Sequence, residues 1–219
     1  MKIFIMCGGF YDKFKTPKQL SVINGETLIE RTIRLLKENG EEEIFITTDT
    51  TNNCFDYIDT PKIYFDSSFK VINNVGYGYW LDAYYEIDEP CIYLHGDVYY
   101  TDSAIKRILN LKPKVNTFIG NEVAKNPWHY NWGEPFGWII VDQKTFRKGI
   151  EDTKKLQDEG KLERGMGISW ELYRVLNGLD PNKQYIIDDT YLSINDDTID
   201  IDAPFQVQEL DAKVRARNN

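Results

Sequence analysis

The stretch Ile3-Phe4-Ile5-Met6-Cys7-Gly8-Gly9 decides the fold. An uninterrupted apolar run has no polar face, which is the pattern of a strand buried on both sides in a parallel-type sheet, and the two glycines end it in a loop. Downstream, Thr27 followed by Glu30 reads as a capping box. Leu28, Ile29, Ile33, Leu35 and Leu36 supply an apolar face and Gly40 a stop, so a helix is predicted over 27–39. Ile44-Phe45-Ile46-Thr47-Thr48 is the next strand, and strand, helix and strand in succession make a βαβ unit.

The alternation continues. Strands are predicted at 63–65, 91–95, 117–119 and 138–141, with short late ones at 185–187, 191–194 and 198–201. Helices are predicted at 80–87, 103–111, 144–158, 168–177 and 205–217. No internal repeat, low-complexity tract or linker interrupts the pattern. The expectation is one α/β domain over 1–219, a Rossmann-like three-layer sandwich with helices on both faces of a mostly parallel mixed sheet.

Composition narrows the function. A chain of 219 residues with 42% hydrophobic content suits one domain with a sizeable core. The formal charge of −9 argues against a broad nucleic-acid interface, and any anionic ligand then needs local lysines, backbone N–H groups or a metal. Cys7, Cys54 and Cys91 are an odd number with no Cys-x-x-Cys pairing, which suits reduced thiols in a cytoplasmic protein. The apolar start is too short for a membrane span, and no later apolar run approaches the roughly 18 residues a span needs, so a soluble protein is expected.

In open α/β sheets, ligands sit beyond the carboxyl ends of the strands. After the first strand come Gly8 and Gly9, then Lys13, Lys15 and Lys18. Glycines let a backbone approach a phosphate, and the lysines add cations to an otherwise acidic chain; the plain alternative is a solvated turn. After the 91–95 strand comes Gly96-Asp97, where a carboxylate can hold Mg²⁺. Asp102 and Ser103 are better placed to cap the following helix, which leaves Asp97 for another role. Near the end, Asp200 and Asp202 alternate along a predicted strand and so share a face. A solvated edge strand would carry the same pattern.

Together these segments resemble the nucleotidyltransferase superfamily that makes nucleotide sugars and related activated compounds. The resemblance lies in Gly8, Gly9, Pro17 and Lys18, in Gly25-Glu26-Thr27-Leu28-Ile29-Glu30, in Gly96-Asp97, and in Asp200, Asp202 and Pro204. It implies coupling of a nucleoside triphosphate, with CTP or UTP favoured, to a phosphorylated small molecule, with release of pyrophosphate. Lys18, with Lys13 in place of the family's loop arginine, would be the catalytic cations on the triphosphate. Cys7, Gly8, Gly9, Gly76, Gly78 and Asp97 would line the nucleotide site. Asp97 and Asp202, with Asp200 as alternate, would hold Mg²⁺. About 1–111 would form the nucleotide-binding half and about 112–219 the acceptor half, where Trp128, Tyr130, Trp132, Glu134, Trp170 and Glu171 are the acceptor candidates. The acceptor would be a sugar 1-phosphate, the alternative being a phosphoalcohol such as phosphocholine.

The chain also departs from the family pattern. Tyr11 stands where a second glycine is usual, the loop before Pro17-Lys18 is shorter, and Phe205-Gln206 replaces an acidic pair. Two rivals follow: a glycosyltransferase of the related GT-A fold using the late acidic pair, and a non-catalytic nucleotide-sensing protein.

Overall fold

The computed structural model describes residues 1–8, 10, 11, 13–66, 68–73, 75–122 and 133–218. Its strands are β1 (Lys2–Met6), β2 (Phe10–Tyr11), β3 (Val22–Ile23), β4 (Glu26–Thr27), β5 (Ile44–Asp49), β6 (Lys62–Phe65) and β7 (Lys70–Ile72), followed by β8 (Val75–Tyr77), β9 (Cys91–His95), β10 (Val98–Tyr99), β11 (Thr117–Asn121), β12 (Glu134–Ile140), β13 (Tyr191–Ser193) and β14 (Ile199–Asp200). The α-helices are α1 (Leu28–Glu38), α2 (Asp102–Asn110), α3 (Gln143–Asp158), α4 (Ser169–Leu176) and α5 (Pro204–Asn218).

Among the described residues the main sheet has seven strands in the order β13-β11-β12-β9-β1-β5-β6. β1 pairs in parallel with both β5 and β9, β5 with β6, and β11 with β13. Only β12 runs antiparallel, between β9 and β11. The sheet is therefore mixed and mostly parallel, as the sequence pattern predicts.

β1 shows why its sequence is apolar throughout. Ile3, Ile5 and Cys7 join a core with Ile29, Ile33 and Leu36 of α1 and Ile105 and Ile108 of α2. Phe4 and Met6 point the other way, to Phe146 of α3 and Trp170, Leu172 and Tyr173 of α4. Successive residues thus enter opposite cores, which makes three layers.

The capping box at α1 is present, with the Glu30 amide donating to Thr27 Oγ1 at 3.2 Å and the Thr27 amide to Glu30 Oε2 at 3.1 Å. Three sequence expectations need correction. Thr101, rather than Asp102 or Ser103, caps α2, its Oγ1 accepting from the Ala104 amide at 3.0 Å. Residues 80–87 form one 3-10 turn, Trp80–Ala83, rather than a helix, because Leu81 and Tyr84 turn into the interior while Tyr84 is already extended. Residues 185–187 form no strand, although Ile186 still packs on the second core. Among the described residues no helix is long and apolar enough to cross a membrane.

Candidate active site

Lys18 is aimed by a short turn. Pro17 has the extended backbone (φ −49°, ψ 135°) that starts the 3-10 helix Lys18–Leu20, closed by the Leu20 amide donating to the Pro17 carbonyl at 2.9 Å. Gln19, the next residue, is buried and lies under Gly96. A Cβ on Gly96 would come within 2.7 Å of both Cys7 Sγ and the Met6 carbonyl oxygen and 3.0 Å of Gln19 Cγ. Glycine is needed there because three chain segments meet at one point.

Asp97 follows immediately, at the carboxyl end of β9. The adjacent β10 pairs antiparallel with β14, Val98 opposite Asp200, and the Ile201 amide donates to the Asp97 carbonyl at 3.1 Å. This two-stranded ribbon brings the middle of the chain to its end. Beyond β14, Gln206 in the first turn of α5 accepts through Oε1 from the amides of Asp202 (2.8 Å) and Ala203 (2.7 Å), which fixes the backbone that carries the Asp202 side chain.

Lys18 Nζ lies 2.6 Å from Asp97 Oδ2 and 3.2 Å from Asp202 Oδ1. All three side chains are mostly covered, Lys18 being 13% exposed. Burial acts to lower the Lys18 pKa, but Asp97, Asp202 and Asp200 outweigh it and hold the ammonium protonated well above the ordinary lysine range. Asp200 is buried beside them.

These groups line a cavity of about 620 Å³. Its lining includes Lys15, Lys18 and Lys70, Asp49 and Asp66 at the ends of β5 and β6, and Trp80, His95, Pro135, Ile168 and Ser169. Asp66 Oδ1 accepts from Thr50 Oγ1 at 2.8 Å, and Asp49 Oδ1 from the Thr51 amide at 2.8 Å. His95 Nδ1 lies 3.1 Å from the Pro135 carbonyl, so that nitrogen carries the proton and donates. Burial lowers the His95 pKa to about 4, so Nε2 is an acceptor and Ser169 Oγ donates to it across 3.3 Å. Ser169 in turn accepts from the Tyr84 hydroxyl at 2.8 Å. Every proton in this chain has a fixed direction. The Trp80 ring stands edge-on to His95 at 5.3 Å.

The other sequence candidates are placed as follows. Gly8 lines the cavity, whereas Cys7 is buried with its amide bonded to the Thr47 carbonyl at 2.7 Å. Lys13 is not among the cavity-lining residues, and Lys15 is. Gly76 lies beneath Met166, a cavity residue, and a Cβ there would sit 2.0 Å from the sulfur. Gly78 (φ +73°) lies against the Ser68 carbonyl. Glu134, Trp170 and Glu171 are in the interior rather than on the cavity wall, and only their neighbours Pro135 and Ser169 reach it. The strand β12 is covered on both faces, and Trp170 packs on Phe118 and Tyr191. Gly9, Trp128, Tyr130 and Trp132 lie outside the described residues. Asp49, Asp66 and Ser169 have no role in the sequence reading, Trp80 ends the 74–80 segment that the resemblance puts near the base, and His95 reads there as structural. Asp49, Asp66 and His95 carry the signal of standing at strand carboxyl ends; Trp80 and Ser169 do not.

The sequence matches no protein-family model and no curated protein. Solved structures do match. A protein assigned as a glucose-1-phosphate thymidylyltransferase from Bacillus anthracis, in complex with sucrose, superposes with a TM-score of 0.63 at 14% identity, over 98% of this chain and 95% of that one. The CTP:phosphocholine cytidylyltransferase of Streptococcus pneumoniae gives 0.55 at 15% identity, over 98% and 100%. The 2-C-methyl-D-erythritol 4-phosphate cytidylyltransferase of Thermus thermophilus gives 0.55 at 10% identity, over 98% and 100%. In all three the likeness spans nearly the whole of both chains, and the chain therefore has the nucleotidyltransferase fold.

Proposed function

We propose that the protein joins a nucleoside triphosphate to a phosphorylated small molecule and releases pyrophosphate. The observation that carries this reading is Lys18 held between Asp97 and Asp202 at the rim of the cavity, a cation and hard oxygen ligands at one point. Such a reaction needs no covalent nucleophile; it needs two phosphates aligned and their charge neutralised.

The carboxylates suit Mg²⁺, because the ammonium between two of them already stands in for a cation. Among the described residues no three His, Cys, Asp or Glu side chains form a ready-made ligand group, Lys18 standing between Asp97 and Asp202. Asp97 and Asp202 would hold the metal, with Asp200 behind them. When bound, the metal would neutralise charge developing on the phosphates. Lys18 would bind the triphosphate with Lys15, which also lines the cavity, and with Lys13, which precedes both in the loop. The nucleotide would use the 1–111 half and the acceptor the 112–219 half.

The acceptor we favour is a sugar 1-phosphate, whose hydroxyls suit the polar lining around Ser169 and His95. One observation favours a second reading: Phe14, Phe69 and Trp80 line the cavity together with carboxylates, which suits a cationic phosphoalcohol such as phosphocholine. A pyrophosphate-release screen of four nucleoside triphosphates against sugar phosphates and phosphoalcohols decides between them. Absence of pyrophosphate with every pair would return the site to a glycosyltransferase or a nucleotide sensor.

A further inference from the structure

Lys18 occupies the position a metal would need. Its Nζ is 2.6 Å from Asp97 and 3.2 Å from Asp202, and the carboxylates come from segments fixed by other bonds: the β10–β14 pairing, the Ile201 to Asp97 bond, and Gln206 under Asp202. The lysine is different. Its stem leaves a 3-10 turn and its side chain borders a cavity of about 620 Å³, so it has room to swing while the carboxylates stay. Magnesium binds oxygen at about 2.1 Å. Seated between the same two oxygens, it would stand in contact with a like-charged ammonium.

We propose that the Lys18 ammonium is a resident counter-ion which a divalent cation must displace, so that metal uptake by Asp97 and Asp202 and release of Lys18 into the cavity are one exchange. The ammonium satisfies the carboxylates when no metal is present and prevents three acidic side chains from repelling one another. On exchange it becomes available to an anion in the cavity. By linkage, whatever anion takes up the released ammonium tightens the metal, and the metal tightens the anion by the same factor. Assignment of that anion as a triphosphate rests on the reading above; the exchange itself does not.

The test uses the full chain and Mn²⁺ as the probe, without nucleotide, read by loss of the free-ion signal in electron paramagnetic resonance. Lys18→Met should bind Mn²⁺ about tenfold or more tighter than the parent, since a unit charge adjacent to a divalent ion is weakly screened in a part-buried site. Lys144→Ala, at the start of α3, controls for loss of a distant charge. Equal or weaker Mn²⁺ binding by Lys18→Met would overturn the proposal, as would no binding by either protein. Should the variant fail to fold, a second measurement uses the parent alone: acetylation of its lysines, mapped by mass spectrometry, with and without Mn²⁺. Lys18 labelling should accelerate severalfold while the other lysines hold steady; an unchanged Lys18 rate sinks the exchange. Neither arm contains a triphosphate, so failure of the pyrophosphate screen and failure of the exchange are separate results.

Discussion

Gln206 Oε1 accepts the Asp202 amide at 2.8 Å, so a helix side chain holds the backbone of a site carboxylate. The same oxygen takes the Ala203 amide. Gln206→Ala leaves two covered N–H groups without an acceptor, each worth about 1–3 kcal/mol. The variant should melt several degrees lower and, beyond that, lose turnover even at temperatures where it is fully folded. Normal turnover of the folded variant would show that Asp202 is held by other means.

Removing the carboxylates separates site from scaffold. Asp97→Ala and Asp202→Ala should each abolish pyrophosphate release while circular dichroism stays native. Asp196→Ala is the contrast. Asp196 accepts from Thr101 Oγ1 at 2.5 Å and from the Thr198 amide at 2.8 Å, and Thr101 is the residue that caps α2. Its loss should cost about 1 kcal/mol of stability and leave turnover near normal.

Lys18→Ala should lower turnover on the order of a hundredfold, the usual effect of losing a charge-stabilising group at a reacting centre. Lys144→Ala should do little. Steady-state rates at saturating triphosphate and acceptor decide, and equal small effects would remove Lys18 from the chemistry.

Stability should fall as pH rises through the weakly acidic range because of Glu171. Burial raises its pKa to about 7, against the opposing pull of Arg164, of backbone amides and of Arg174. A group whose folded value exceeds its unfolded one binds its proton more tightly when folded. Its contribution is full below the ordinary carboxylate value near 4.5 and is lost as pH rises to about 7. At about 1.4 kcal/mol per unit, the shift amounts to a few kcal/mol. Denaturant melts of the parent and of Glu171→Gln between those limits should show a slope in the parent that flattens in the variant.

Gly96→Ala places a methyl within 2.7 Å of Cys7 Sγ and of the Met6 carbonyl, where the rigid β1 backbone leaves no room to relax. Overpacking of this kind costs about 1–3 kcal/mol, and here it also pushes on Asp97. A lower melting temperature together with reduced Mn²⁺ affinity is expected; unchanged values of both would mean the three segments separate easily.

The sheet could be read in the sequence because its central strand is apolar on both faces and its first helix carries a complete capping box. Lys18, Asp97 and Asp202 could be read because each follows a recognisable strand or turn. Their contact could not, since β10 and β14 are two-residue strands with no measurable periodicity. Trp80, Leu81 and Tyr84 imitate a helical stripe and form a single turn. β12 begins before its predicted start because Pro135 and Gly137 look like loop residues. In the structure the register beside Pro135 shifts between Ile119 and Gly120, which accommodates a residue that has no amide to donate. Trp170 and Glu171 look like a binding pair in sequence and are interior, Trp170 because α4 lays it on Phe118 and Tyr191 of the main sheet.

The Lys18 ammonium and the Asp202 carboxylate are 184 residues apart in the chain. Synthesis runs from the amino end, so Lys18 leaves the ribosome long before Asp202 exists. A nascent chain that had completed β13 would own every strand of the main sheet, yet its lysine would lack Asp202. The cluster therefore cannot close part-made: Lys18 meets both Asp97 and Asp202 only once the β10–β14 ribbon and the residues after it exist.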